Sequence, residues 1–223
     1  MTDASSPRPA LYVVLSNTSG KQNLGTYLRT ATAFGATQVI VVGSQRFGTH
    51  GAHRAHKYVD IVHFYKYSEA QEYLLSQNCA IVGIAQRLDD AVSSSAVHAM
   101  PFTGSTAFVV DNENPGVLSP EQAAICDAFV HVPFHGVQPS QAPALDATVV
   151  TAIALHHFTK WAAFPVRAFE ATSTQGKFVL DDYPTVEAVK QDRRAQEVAA
   201  ARLAHRSLDV DELIDPGLAN IFG

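Results

Sequence analysis

Residues 129–164, FVHVPFHGVQPSQAPALDATVVTAIALHHFTKWAAF, decide the reading of this chain. An apolar run leads into Val132-Pro133-Phe134 and Gly136. It is short and rich in β-branched and aromatic residues, which predicts a strand. A Pro/Ser/Gln-rich loop follows. A helix that is apolar on nearly every side is then predicted over Leu145 to Trp161. A helix of that kind is buried rather than laid on a surface. Strand, tight loop and buried helix together make a ligand cradle.

The same alternation recurs upstream. Leu11 to Ser16, Thr37 to Val42, Asp60 to Phe64, Cys79 to Ala85, Ser105 to Val110 and Ala128 to Val132 read as strands. Between them, Asn23 to Phe34 carries Leu24, Tyr27, Leu28, Ala31 and Phe34 at helical spacing, with Asn23 as N-cap and Gly35 as C-cap glycine. Glu69 to Gln77 reads as a second helix. Ser119-Pro120-Glu121-Gln122 is a capping box with Pro at the first helical position, opening a helix to about Cys126. Short apolar strands alternating with helices predict an α/β fold with a mostly parallel sheet. Gly43 to Tyr58 and Ala91 to Met100 read as loops, Arg167 to Asp182 as irregular, Val186 to His205 as a polar helix, and Ser207 to Gly223 as a tail.

At 223 residues, with 47% apolar and 17% charged side chains, the chain is expected to hold one globular domain. No apolar run reaches membrane-spanning length, and the start MTDASSPRPA has no secretory h-region. Residues 1–10 are read as a disordered lead-in. Cys79 and Cys126 lie in apolar surroundings and are expected as free buried thiols, which suits a reducing, cytoplasmic compartment, with organellar targeting left open. The net charge of −5 is unhelpful for nucleic-acid binding, so an RNA partner requires a local basic patch. The only such cluster is Arg46, His50, His53, Arg54, His56 and Lys57. Cys and Asp/Glu partners at zinc-like spacing are absent around it, and no metal site is expected.

Three segments resemble, in order, the motifs of the SpoU (TrmH-like) branch of the SPOUT RNA methyltransferases. The first is Asn23 to Gly35, with Arg29 six residues after the Asn. The second is Phe108-Val-Val-Asp111-Asn-Glu113-Asn-Pro-Gly116, where the family has apolar residues and then Gly-x-Glu-x-x-Gly. The third is Val132-Pro-Phe-His-Gly136, then Ala144-Leu-Asp146. The family has Pro-Met-x-Gly and Ser-Leu-Asn there. Asp111, Ala144 and Asp146 thus stand where the family carries Gly, Ser and Asn.

The resemblance implies a SPOUT domain over 11–164 with a C-terminal trefoil knot, and a helical extension over 165–223. It implies a homodimer through the 147–161 helix, and S-adenosylmethionine-dependent 2'-O-methylation of a ribose in tRNA or rRNA. It assigns chemistry to Asn23, Arg29, Glu113 and Asp146. It assigns the cofactor to Ala85, Asp111, Glu113, Gly116, Val132, Phe134, Ala144 and Leu145. RNA contact falls to Lys21, Arg29, Arg46, His50, Arg54 and Lys57. On the residues alone, Asp146 is equally a helix cap or a proton acceptor, and Glu113 a loop brace or a site residue. Arg29 is a phosphate clamp, a polariser of the ribose hydroxyl or a surface ion-pair partner. His156 and His157 are expected at an interface. Two other readings stay open: a non-catalytic knotted dimer that binds RNA or a protein, and an α/β enzyme acting on a small nucleotide-like ligand.

Overall fold

The computed structural model describes residues 8–18, 24–48, 51–86, 93–113, 117–136, 145–168, 173–175, 178–180 and 183–212. The chain forms two compact units, residues 1–182 and 183–223. The first runs β1 (Leu11–Asn17), α1 (Leu24–Ala33), β2 (Gln38–Gly43), β3 (Asp60–Phe64), α2 (Tyr67–Ser76), β4 (Ala80–Ile84), β5 (Ser95–Ala96), β6 (Thr106–Val110), α3 (Pro120–Ala124), β7 (Ala128–His131) and α4 (Ala147–Trp161), then the hairpin β8 (Ser173–Gln175) and β9 (Phe178–Leu180). The described part of the second is dominated by α5 (Val186–Glu212).

Seven strands form one sheet in the order β3-β2-β1-β6-β4-β7-β5, and each neighbouring pair is parallel. β1, β2 and β3 step outward to one edge, while the later strands fill the other side. The chain therefore reverses its direction of travel across the sheet at β1 and β6. Open parallel sheets bind ligands outside the carboxyl ends of strands at such a reversal.

The sheet is covered on both faces, which explains why its strands are continuous apolar runs. Alternate residues divide between two cores. Leu11, Val13, Leu15, Val41, Phe108 and Val110 pack with Leu28 of α1 and Phe158 of α4. Tyr12, Val14, Ile40, Val42 and Val109 pack with Ala70 and Leu74 of α2 and with Ile125, just past α3. In the first core Phe158 meets Phe102 at 5.3 Å, Phe108 at 5.9 Å, Trp161 at 5.6 Å and Phe164 at 6.0 Å between ring centroids. Arg8 lies over the Phe164 ring at 5.5 Å, and Ala10 N donates to Ser105 Oγ at 3.0 Å, so the chain ahead of β1 is fastened to the domain from Arg8 onward.

Gly35 has φ +69°, and Ala36 N donates to Ala31 O at 2.9 Å, the bonding of a glycine that ends a helix. Cys79 and Cys126 are free thiols, and burial, then Asp127, pushes both up to about 12.

Three segments differ from the sequence expectation. The stretch 91–100 holds β5 and a 3₁₀ turn at Val97–Ala99. β5 has two residues paired to β7, too few to leave a periodic signal. The stretch 167–182, expected to be irregular, holds the β8–β9 hairpin, in which Ser173 to Gln175 lacks apolar alternation. α5 continues past His205 to Glu212, since no Gly or Pro interrupts it before Pro216.

Replacing Phe158 by Ala should cost about 3–5 kcal/mol, because four aromatic neighbours lose their common partner. Urea unfolding followed by circular dichroism reads this; a cost below about 1 kcal/mol would show that the cluster is not the packing centre of its face.

Candidate functional site

Beyond the end of the β1–β6 ladder, side chains continue the pairing. Asn112 Oδ1 accepts from Ser16 N at 2.7 Å, and Asn112 Nδ2 donates to Ser16 O at 2.8 Å. Ser16 Oγ shares a short hydrogen bond with the Tyr67 phenol at the start of α2. Gln122 Nε2 donates to Ser16 Oγ at 3.0 Å and to Val110 O at 3.1 Å. The other end of that amide accepts from Ser119 N at 2.8 Å, closing the capping box of α3. Ser16 and Gln122 are buried, so these partners replace water. Burial raises the Tyr67 pKa, against the lowering effect of its bond to Ser16. At the neighbouring turn Asn17 Nδ2 donates to Ser44 O and to Arg46 O. Gly43 has φ +114° there, and a Cβ on it would stand 2.7 Å from Asn17 O, so the close approach requires glycine.

The second motif lies over this network. Asp111 is 4% exposed and accepts from Val117 N at 2.9 Å, turning its carboxylate into the loop. Glu113 accepts from Thr18 N at 2.6 Å and from the Thr18 hydroxyl, joining the loop after β6 to the loop after β1. Ser16, Thr18, Tyr67, Asp111, Glu113, Val117, Ser119, Glu121 and Gln122 enclose a cavity of about 180 Å³. Its carboxylates and hydroxyls suit N–H and O–H donors and repel phosphate.

The first motif contributes Tyr27. It is 3% exposed on α1, and its phenol pKa is driven up first by burial, then by the charge of Asp146 and then by that of Asp111. Tyr27 of α1, Val110 at the end of β6 and Val150 in the first turn of α4 are buried in one core. Asp146 is the N-cap of α4: its Oδ1 accepts from Thr148 N at 2.8 Å and from the Thr148 hydroxyl. These bonds hold its carboxyl below the usual range, which makes it a weaker base.

A second group of motif residues lies where β4 and β7 meet the start of α4. Ala85 N donates to Val130 O at 3.0 Å, and Gln86 Nε2 donates to Leu145 O at 3.2 Å. Val132 and Phe134 are half-buried, and Leu145 is 37% exposed. Gln86 Oε1 is buried and has no hydrogen-bond partner among the described residues. One unused acceptor among apolar side chains fits a flat ring that carries an amino group.

Arg29 is exposed on α1, on one stripe with Thr26 and Thr32. A Cβ on Gly51 would stand 3.4 Å from Thr26 Oγ1, and Thr32 Oγ1 donates to Ala55 O at 3.2 Å. The basic loop thus runs along the stripe that carries Arg29, with Arg54 and Lys57 exposed on it and Arg46 exposed at its start. His53 and Arg54 take φ +45° and +70°, in the left-handed region, a sharp turn in a segment held against α1.

His156 is exposed, with its ring 6.3 Å from that of Phe34. The His157 pKa is lowered by burial and then by His156, His98 and Lys160. Among the described residues no group of His, Cys, Asp and Glu is arranged to hold a metal, and no helix is long and apolar enough to cross a membrane. Lys21, Asn23, His50, Gly116 and Ala144 lie outside the described residues. Sequence reasoning missed Ser16, Thr18, Tyr67, Gln86, Asn112 and Gln122 as parts of the site. The capping box did flag Gln122, though only as a helix start.

The profile of the SpoU rRNA Methylase family matches residues 10–156. No curated protein sequence matches the chain. Solved structures do. AviRb, a SpoU methyltransferase of Streptomyces viridochromogenes in complex with AdoMet, is 20% identical with a TM-score of 0.58 over 71% of this chain and 60% of its own. The TrmH/SpoU tRNA modifying enzyme of A. aeolicus is 23% identical with a TM-score of 0.54, over 69% and 75%. An RNA 2'-O ribose methyltransferase is 20% identical with a TM-score of 0.54, over 74% and 60%. The match spans about three fifths of the first and third of these chains. At such identities the likeness shows the fold.

The Asp146 cap gives a pH-dependent prediction. Asp146→Ala should lower stability by about 1 kcal/mol at neutral pH. Because the folded-state pKa is depressed, that contribution is present above the unfolded value of roughly 4 and is lost as pH falls through the folded value. Denaturant midpoints of the two proteins should therefore converge in acid; a gap that is constant down to about pH 2 would contradict the ionised cap.

Proposed function

The chain belongs to the SpoU rRNA Methylase family, and from that premise we propose that it is an S-adenosylmethionine-dependent methyltransferase acting on the 2'-hydroxyl of a ribose in tRNA or rRNA. The observation that carries this reading is the juncture of two distant segments at the carboxyl ends of β1 and β6. Glu113 of the second motif is bonded to Thr18, in the loop that leads to the first.

S-adenosylmethionine, the cofactor of the family, supplies a methyl group already activated on a sulfonium. The protein's task is then largely to position the reactants. Ala85, Val132, Phe134 and Leu145 provide apolar walls for it. Asp111 and Glu113 provide negative charge that favours a sulfonium. Glu113 also keeps the loop after β1 in place. Arg29 stays charged, since a guanidinium does not deprotonate in proteins, and it holds phosphate or polarises the ribose hydroxyl. With Arg46, Arg54 and Lys57 it forms a basic track for the RNA backbone on an otherwise acidic chain. Asn23, Gly116 and Ala144 complete these assignments by motif position, and Lys21 and His50 as further basic contacts for the RNA.

Val149 and His156 are exposed on α4, with Val149 46% exposed, and Leu145 is exposed just ahead of its cap, leaving a strip of apolar and imidazole side chains. We assign this strip to a homodimer interface, with the trefoil knot in the segment that leads into α4. The second reading, a non-catalytic dimer that binds RNA or a protein, draws on the engagement of Asp146 as a cap, which weakens it as a base.

Transfer of labelled methyl groups to total tRNA and rRNA, read as alkali-resistant dinucleotides, tests the reaction. Arg29→Ala should reduce transfer at least about a hundredfold, the loss of one charged positioning contact, while cofactor affinity stays within about tenfold. Unchanged turnover in that variant would remove Arg29 from the reaction. Absence of transfer by the wild type despite RNA binding would favour the non-catalytic dimer.

A further inference from the structure

Gln86 stands two residues past β4, and its amide is held at one end only. The bond from Nε2 to Leu145 O at 3.2 Å fixes the orientation of the group. Turning the amide end for end would set its oxygen against a carbonyl, two acceptors face to face. Oε1 therefore points away from Leu145 into a buried position where no described residue donates to it. A buried acceptor without a donor is destabilising by about 1–3 kcal/mol, and native proteins keep few of them. The geometry points to a donor that arrives with a ligand.

We propose that Gln86 is the specificity residue for the adenine of the methyl donor, with Oε1 accepting a hydrogen bond from the exocyclic amino group. This rests on the methyltransferase reading above. The chemistry of the neighbouring residues selects the adenine over the other donors of the cofactor. Ala85 and Leu145 adjoin Gln86, and Val130, bonded to Ala85, leads on to Val132 and Phe134. These surroundings suit a flat, uncharged ring. The ammonium and sulfonium groups are drawn instead to Asp111 and Glu113 at the end of β6. Ribose hydroxyls both donate and accept, whereas an exocyclic amine in this position only donates and so matches an acceptor-only oxygen. Through Leu145 O the same amide is bonded to the residue just ahead of the Asp146 cap.

The test is calorimetric titration of wild type, Gln86→Leu and Gln86→Met with two ligands. One is S-adenosylhomocysteine; the other is S-inosylhomocysteine, which carries an oxo group in place of the amine. Wild type should prefer the adenine ligand by about tenfold or more, the value of one hydrogen bond. Both variants should bind S-adenosylhomocysteine about tenfold more weakly and distinguish the two ligands by less than about threefold. Thermal melting of the ligand-free variants within a few degrees of wild type separates recognition from a structural role, and Gln86→Met decides if Gln86→Leu does not fold. Retention of the adenine preference in the variants, whatever their melting temperature, would overturn the assignment. Failure of wild type to bind either ligand at millimolar concentration would overturn the methyl-donor reading beneath it.

Discussion

The junction of β1 and β6 past the end of their ladder is the constraint on which the rest of this protein depends. A parallel sheet that reverses its winding leaves a crevice there, and backbone pairing alone would let the two loops separate. Asn112 prolongs the pairing through its side chain, and Gln122 fastens Ser16 and the Val110 carbonyl to α3. Tyr67 brings α2 to the same point. Two helices on one face of the sheet, α2 and α3, thus determine the position of the loops that follow β1 and β6.

The structure also shows how the fold accommodates Asp111 in the second motif. A carboxylate in place of a glycine would be a charge inserted into a ligand loop. Here Asp111 is turned inward and accepts from Val117 N, bracing the backbone that a small residue would leave free. The substitution changes how the loop is held while the segment keeps its position at the end of β6. The Asp146 cap follows a similar logic: a residue that forms the entrance of α4 is held as an anion by Thr148, which suits rigidity better than proton transfer.

The sheet was legible because a fully buried strand leaves its mark on every residue. β1, β2, β3, β4, β6 and β7 all fell within a residue or two of the apolar runs, and Ser119 to Gln122 announced α3 by its capping chemistry. What the chain concealed is pairing between distant residues. Ser16, Tyr67, Asn112 and Gln122 lie up to 106 positions apart, and no local period records that a hydroxyl, a phenol and two amides will meet. Gln86 was hidden for the same reason. Its importance lies in a missing partner, which only the assembled fold exposes. The stripe of Thr26, Arg29 and Thr32 was present in the helix spacing, but its alignment with the basic loop depends on Gly51 and Ala55.

The contact of Arg8 with Phe164 places the approach to the first strand beside the exit of the last core helix. One cation–π contact thereby ties the segment before the first strand to the segment after the last core helix, closing the span between them into a loop. A non-covalent clasp of this kind opposes fraying at the point where the chain enters the sheet.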